Sequence, residues 1–417
     1  MELPVFDHYD IKEDMMRGFE PLEAILDRQP LKGVNAWKLK LASVVFSLLK
    51  YSYSPVKKLV GADVNITEGM EDKRNLGMRI RGHRRQETDG GYYLSEEEVK
   101  TFIRDGILGP YPLLSASHAD ALKAHIYALQ AGDFGGEMLF GNARARDVLK
   151  RHGMWNLNYS GLYQALRYHE LWDVLSAKPI TQRMASLLGD NLLCWRSQFF
   201  EKPPGATGTF WHQTGTFRES SIRPKLVPTR DTDESMVQLT AWVALTDVTI
   251  DNGCMRFVPG SYRDGRFEYL TYQMKRHATN YLMTLPRKKI ERLIHAARFT
   301  AGNFVKVQAA YEMILDEVPD LFDGFETRSM EMKAGEFIIF TSLNTHASHP
   351  NITTDDTRLA FAGRYTTTDV KVYNGFRKDV CATPEGEIPF DVSRCACMQV
   401  MGEDHYGYNQ ILSRPLP

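Results

Sequence analysis

From Leu192 onward the chain is written in short apolar runs broken by glycine, proline and aspartate, and this punctuation limits the fold more than anything else in it. Residues 238–245 (Gln-Leu-Thr-Ala-Trp-Val-Ala-Leu) read as a buried strand: β-branched and aromatic side chains fill it with little polar alternation. Asp251-Asn252-Gly253 is a turn signal, and residues 255–258 resume the sheet before Pro259-Gly260 breaks it. Further strands are predicted at 328–332, 336–341 and 358–366. Many short strands with such turns favour a sandwich or jelly roll. Ahead of Leu192 the period is helical. Ser95 with Glu98 three residues on forms a capping box. Helices are predicted over 116–132 and 159–176, with Pro179 ending the second before a further helix to Leu188. These helices are expected to pack on one face of the sheet.

Two histidines stand where such a fold could use them. His212 ends Phe210-Trp211-His212, after the turn-rich run 202–208. His346 follows the apolar strand 336–340. Imidazoles at the ends of two distant strands can share a metal ion at a barrel mouth, and two histidines with a carboxylate suit non-heme Fe(II). Taken alone, a histidine beside a tryptophan reads first as a satisfied core residue.

Wider blocks carry a resemblance. The run 194–205 (Cys-Trp-Arg-Ser-Gln-Phe-Phe-Glu-Lys-Pro-Pro-Gly) followed by Trp211-His212-Gln213 resembles the phytanoyl-CoA dioxygenase family. So do residues 239–248, the segment 251–262, and the block from Met332 through His346-Ala347-Ser348 to Asn351 and Arg358. Together these cover roughly residues 94–368. The resemblance implies an α+β chain with a double-stranded β-helix (jelly roll, cupin-like) core and flanking helices. It implies Fe(II) held by His212 and His346, with 2-oxoglutarate as cosubstrate. Arg358 would grip the distal carboxylate of that keto acid, Ser348 would add a hydroxyl bond, and Gln198 and Lys202 would line the pocket. Arg364 is a second candidate for the arginine, because the spacing from His346 to Arg358 is one residue longer than usual. His349, three residues past His346, would point elsewhere, into the surrounding shell or to solvent.

At one position the chain departs from that pattern. The family's first metal motif is His-x-Asp, and position 214 is threonine, a neutral hydroxyl and a poor ligand for a divalent ion. Three functions stay open on sequence alone. The first is an oxygenase that functionalises a C–H bond of a small organic molecule, with water or another carboxylate such as Glu219 completing the shell. The second is a halogenase with chloride in place of the missing carboxylate. The third is an inactive binding or regulatory homologue.

Residues 1–90 are expected to form a mainly helical extension and 91–375 the catalytic domain. Residues 263–328 are expected to form a helical insertion, with helices at 288–298 and 305–315, and 376–417 a tail. Long insertions near a barrel mouth often cover the site. The apolar run 41–49 is too short to span a bilayer and reads as a buried helix, so no membrane span is expected. The first residues show no secretory h-region, and five cysteines lack a framework spacing, so a cytoplasmic chain with free thiols is expected. A net charge of −1 gives no sign of a nucleic-acid partner, and the arginines at 79, 81, 84 and 85 read as a solvated face. Aromatic residues make up 11% of the chain, in keeping with a partly apolar small-molecule substrate.

Overall fold

The computed structural model describes residues 91–136, 143–214, 225–230, 232, 236–262, 326–374, 378–383, 386–393 and 395–416. The expected N-terminal extension, the helices at 288–298 and 305–315, the arginine patch and Glu219 lie outside the described residues.

Six α-helices are described: α1 (Glu96–Asp105), α2 (Ala116–Ala131), α3 (Ala143–Arg151), α4 (Leu157–Ser160), α5 (His169–Ser176) and α6 (Lys178–Leu188). The capping box forms as the sequence predicts. The Ser95 amide donates to Glu98 at 2.8 Å and the Glu98 amide to the Ser95 hydroxyl at 3.3 Å. Helix α6 begins with Pro179 in its first turn, where a missing amide costs nothing. The single helix expected over 159–176 does not form. The chain turns at Gly161, where a Cβ would sit 2.1 Å from the Phe199 ring, and at Tyr163, which has φ 61°. The Tyr163 amide donates instead to the Ser197 carbonyl at 3.1 Å. Tertiary bonding to a strand edge thus displaces the intrahelical ladder that local periodicity favours.

The strands, in chain order, are β1 (Ile107–Pro112), β2 (Leu192–Lys202), β3 (Thr209–His212), β4 (Leu226–Pro228), β5 (Leu239–Ala244), β6 (Met255–Phe257), β7 (Arg328–Met330), β8 (Glu336–Thr341), β9 (His346–Ser348), β10 (Arg358–Thr367), β11 (Val370–Val372), β12 (Lys378–Thr383), β13 (Gly386–Asp391), β14 (Ala396–Met401) and β15 (Gln410–Leu412). The predicted strands at 238–245, 255–258, 328–332, 336–341 and 358–366 all appear, within a few residues of their expected ends. Seven strands make one sheet in the order β1-β8-β5-β10-β2-β14-β15, and four make a second in the order β3-β9-β6-β7. Among the described strands every pairing is antiparallel except β14 with β15.

The large sheet has two apolar faces, and side-chain alternation sorts them. Phe199, Leu239, Ala241, Val243, Phe337, Ile339, Leu359 and Phe361 point toward the helices and form one core with Phe102, Leu122, Leu171, Leu175 and Leu188. Phe199 and Phe361 stack at 4.5 Å on this side. Burying each ring contributes about 2–3 kcal/mol. Trp242, Ile338, Phe340, Ala360 and Ala362 point the other way, into a second core with Met255, Phe257 and Met330 of the small sheet. The two sheets therefore face each other, and the candidate site lies on the surfaces that meet. Among the described residues no helix is long and apolar enough to cross a membrane. Cys194, Cys254, Cys395 and Cys397 carry free thiols.

Candidate functional site

The two histidines meet. Strand β3 pairs with β9 so that His212 lies opposite His346, and their ring centroids are 4.3 Å apart. Phe257 and Phe340 wall His346 at 5.8 and 5.1 Å. His346 is 4% exposed, and burial first, then the neighbouring His212, hold its imidazole well below the usual histidine range. A neutral ring is the form that ligates a metal. Its Nδ1 sits 2.7 Å from the Asn344 carbonyl. A carbonyl oxygen can only accept, so Nδ1 carries the proton and the lone pair is left on Nε2.

Neither histidine is positioned by its own strand alone, since β3 and β9 are only four and three residues long. A clamp built from Lys202 holds them together. Its Nζ donates to the Thr207 carbonyl at 2.7 Å, the Ser348 hydroxyl at 2.9 Å and the His349 carbonyl at 2.9 Å. Three ammonium protons meet three acceptors, which offsets the burial of the charge. Asn351 completes the join by donating from Nδ2 to the Lys202 carbonyl at 2.9 Å. Its backbone exchanges bonds with Gly205 and Ala206. The Lys-Pro-Pro-Gly run and Asn351 thus tie the loop before β3 to the loop after β9.

Arg358 is 4% exposed on the inner face of β10. Its guanidinium carbon lies 5.2 Å from the Trp242 ring centroid, and Nη1 donates to the Gly253 carbonyl at 2.9 Å. Among the described residues its Nε has no hydrogen-bond partner. Burial pushes its pKa down to about 10. A buried guanidinium with a spare N–H is a ready anion receptor. Ser348 lies beside this region. Its hydroxyl bonds Lys202 and also Thr209, receiving the Thr209 amide at 3.0 Å and donating to Thr209 Oγ1 at 2.9 Å.

Gln198 belongs elsewhere on the same face. It accepts from Arg364 Nη1 at 3.1 Å, not from Arg358. Arg364 lies opposite Arg196 of β2 and Thr240 of β5. Burial first, then the Arg196 charge, lower the Arg364 pKa to about 9. His349 is half-buried, with Nε2 2.9 Å from the Ser329 hydroxyl, as expected of a residue that turns away from the pair.

Thr214 lies two residues beyond His212. Its amide donates to the Ser342 carbonyl at 2.7 Å, and its carbonyl accepts from Gln238 Nε2 at 3.1 Å. Gln238 also bonds the Ser342 hydroxyl and accepts from Trp195 Nε1 at 2.9 Å. Among the described residues no group of three or more His, Cys, Asp or Glu side chains could hold a metal. Among the described residues, the side chains that meet there as possible metal donors are the imidazoles of His212 and His346.

Three features escaped sequence reading. Lys202 was expected in the pocket lining but not as the clamp, and Gln238 was read only as part of a strand. The Asn344 carbonyl leaves no sequence signal, because any residue supplies one.

The sequence profile of phytanoyl-CoA dioxygenase (PhyH) matches residues 102–360, more than half of the chain. A structure titled "CytC3 with Fe(II) and alpha-ketoglutarate" is 23% identical, covers 78% of this chain and 96% of its own, and superposes with a TM-score of 0.51. A second CytC3 structure is 24% identical, covering 78% and 94%, with a TM-score of 0.51. A nickel complex of the non-heme monooxygenase ThoJ is 20% identical, covering 76% and 88%, with a TM-score of 0.45. No curated relative matches. The CytC3 likeness is one of fold, and the profile match supplies the lineage: the chain belongs to the phytanoyl-CoA dioxygenase family.

Proposed function

We propose that this chain is a non-heme Fe(II)/2-oxoglutarate-dependent oxygenase that functionalises a C–H bond of a small organic molecule. The observation that carries the proposal is the His212–His346 pair, 4.3 Å apart and with the His346 Nε2 lone pair left for a metal. We read the two facing sheets as a double-stranded β-helix with the pair at its mouth. His212 and His346 would hold the metal, and the spare Nε of Arg358 fits a distal carboxylate. Bound iron and 2-oxoglutarate supply the activation of dioxygen. The protein's own part is placement. Lys202 fixes the loops that carry the histidines, Asn344 sets the His346 tautomer, and Phe257 and Phe340 limit water around the ring.

Thr214 favours a second reading, halogenation, because a neutral residue leaves room for a halide where a carboxylate would bind. Anaerobic titration of the full chain with Fe(II) and 2-oxoglutarate, followed by succinate release with and without chloride, tests both. Chloride-independent succinate release with a hydroxylated product supports oxygenation, and chloride in the product supports halogenation. Substitution of Thr214 by Asp should abolish the second and raise the first. No iron uptake and no oxoglutarate turnover would leave only a binding role.

A further inference from the structure

Thr214 is held where its strand cannot hold it. Strand β3 ends at His212, so its ladder stops two residues short. Three other hydrogen bonds take over. The Thr214 amide donates to the Ser342 carbonyl at 2.7 Å, and the Ser342 amide to the Gln238 carbonyl at 3.3 Å. Gln238 Nε2 then donates to the Thr214 carbonyl at 3.1 Å and closes the triangle. Two of its sides run backbone to backbone, and most residues could make them. The third needs the side-chain amide of Gln238.

That amide has one orientation. Trp195 Nε1 donates to Gln238 Oε1 at 2.9 Å, and an indole N–H cannot accept. Nε2 must therefore face the two oxygens, the Thr214 carbonyl and the Ser342 hydroxyl. Gln238 is 2% exposed, and both of its amide protons are engaged. It cannot turn without breaking three bonds at once.

We infer that Gln238 is a positioning residue: it aims the side chain of residue 214 at the metal held by His212 and His346. This rests on the proposed oxygenase reading and adds to it the group that lines up the third metal position. The peptide planes on both sides of residue 214 are tied, one by its amide and one by its carbonyl. Peptide planarity leaves a residue two soft dihedrals, so tying both planes fixes the direction in which the side chain leaves the backbone. The histidines have other supports. Ser261 Oγ receives the Thr345 amide at 2.8 Å and donates to Asn344 Oδ1 at 2.9 Å, while Asn344 Nδ2 donates to the Asp105 carbonyl at 3.0 Å. Those bonds steady the turn whose Asn344 carbonyl holds His346 Nδ1. His212 takes its register from His346. Loss of Gln238 therefore disturbs residue 214 and spares the imidazoles.

The test is a double-mutant cycle read as Ni(II) affinity. Calorimetry on the full chain gives dissociation constants for the wild type, T214D, Q238M and the T214D/Q238M double variant. Threonine gives little to a divalent ion, so Q238M alone should leave affinity within about threefold. T214D adds an ionised oxygen ligand, and should tighten binding at least about tenfold with Gln238 in place and less than about threefold in the double variant. Q238N keeps the amide but falls one methylene short of its partners. It should give the same cycle, and it serves if Q238M does not fold. A glutamine with a merely structural role predicts otherwise. Q238M would then weaken Ni(II) binding equally on both backgrounds and leave the T214D gain intact, which would overturn the inference. No gain from T214D with Gln238 in place would overturn it as well, because residue 214 would then lie away from the metal. If neither the wild type nor T214D binds Ni(II), the oxygenase reading falls and takes the inference with it. If both bind and the cycle is additive, the inference alone falls.

Discussion

Replacing Arg358 by methionine should make the ligand-free protein more stable and the ligand-bound one less so. The guanidinium is buried, and the fall of its pKa from the usual arginine value to about 10 corresponds to about 3 kcal/mol against folding at neutral pH. Against this, the Gly253 carbonyl loses its donor and the Trp242 ring loses its cation. Those losses are worth about 1 kcal/mol each. The net expectation is a gain of about 1 kcal/mol in the absence of ligand. With 2-oxoglutarate the sign reverses. Two charge-assisted bonds to a carboxylate, at about 1.5–3 kcal/mol each, amount to a 100-fold or greater loss in affinity. At a keto-acid concentration 100 times the wild-type dissociation constant, the wild type gains about 2.7 kcal/mol and the variant almost nothing. Urea unfolding of the nickel-loaded proteins, with and without 2-oxoglutarate, reads both numbers. If the variant unfolds earlier than the wild type without ligand and gains the same stabilisation with it, Arg358 is a structural residue and the assignment is wrong.

Gly335 has φ +89°, and a Cβ there would lie 2.2 Å from the Leu114 carbonyl oxygen, so Gly335→Ala should cost at least about 2 kcal/mol in urea unfolding. Phe361→Ala, which removes a fully buried ring stacked on Phe199, should cost about 3–5 kcal/mol in the same assay. Thr214→Asp should tighten Ni(II) binding at least about tenfold, because it adds an ionised oxygen ligand; unchanged affinity by calorimetry would place residue 214 away from the metal. Burial first, then Arg256 and Lys202, push His349 down to about 4 from 6.5. The unfolded chain therefore takes up the proton more readily. Stability should be complete above pH 6.5 and fall as pH drops from 6.5 toward 4. His349→Gln should flatten that slope when urea midpoints are compared at pH 7 and pH 5.

What could be read from the sequence was whatever local pattern or residue chemistry decides. The capping box at Ser95, the strand at 238–245, the strand at 336–341 and the break at Pro179 each follow from side chains acting on their own backbone. The His212–His346 meeting needed the family blocks, because nothing within Phe210-Trp211-His212 says which distant strand lies beside it. The helix expected over 159–176 failed for the same reason in reverse. Its period is helical, but the Ser197 carbonyl offers the Tyr163 amide a tertiary partner that periodicity cannot display. Gln198 was expected in the keto-acid pocket with Arg358 or Arg364; the register sets it opposite Ala362, and it accepts a hydrogen bond from Arg364. Register is a long-range quantity, so a one-dimensional reading names the inward residues of β2 without saying which arginine each one meets.

The tail past residue 376 gave no sequence signal, yet β14 pairs with β2 at Leu192 to Cys194, and the Leu416 amide donates to the Leu166 carbonyl at 2.8 Å. Strand β14 is therefore a late-arriving seal on a strand that also carries Arg196, Gln198 and Lys202. During synthesis the edge of that stretch of β2 waits, with open amides and carbonyls, until β14 has been made. Versions cut before β14 should consequently stick to one another edge to edge before they lose any chemistry.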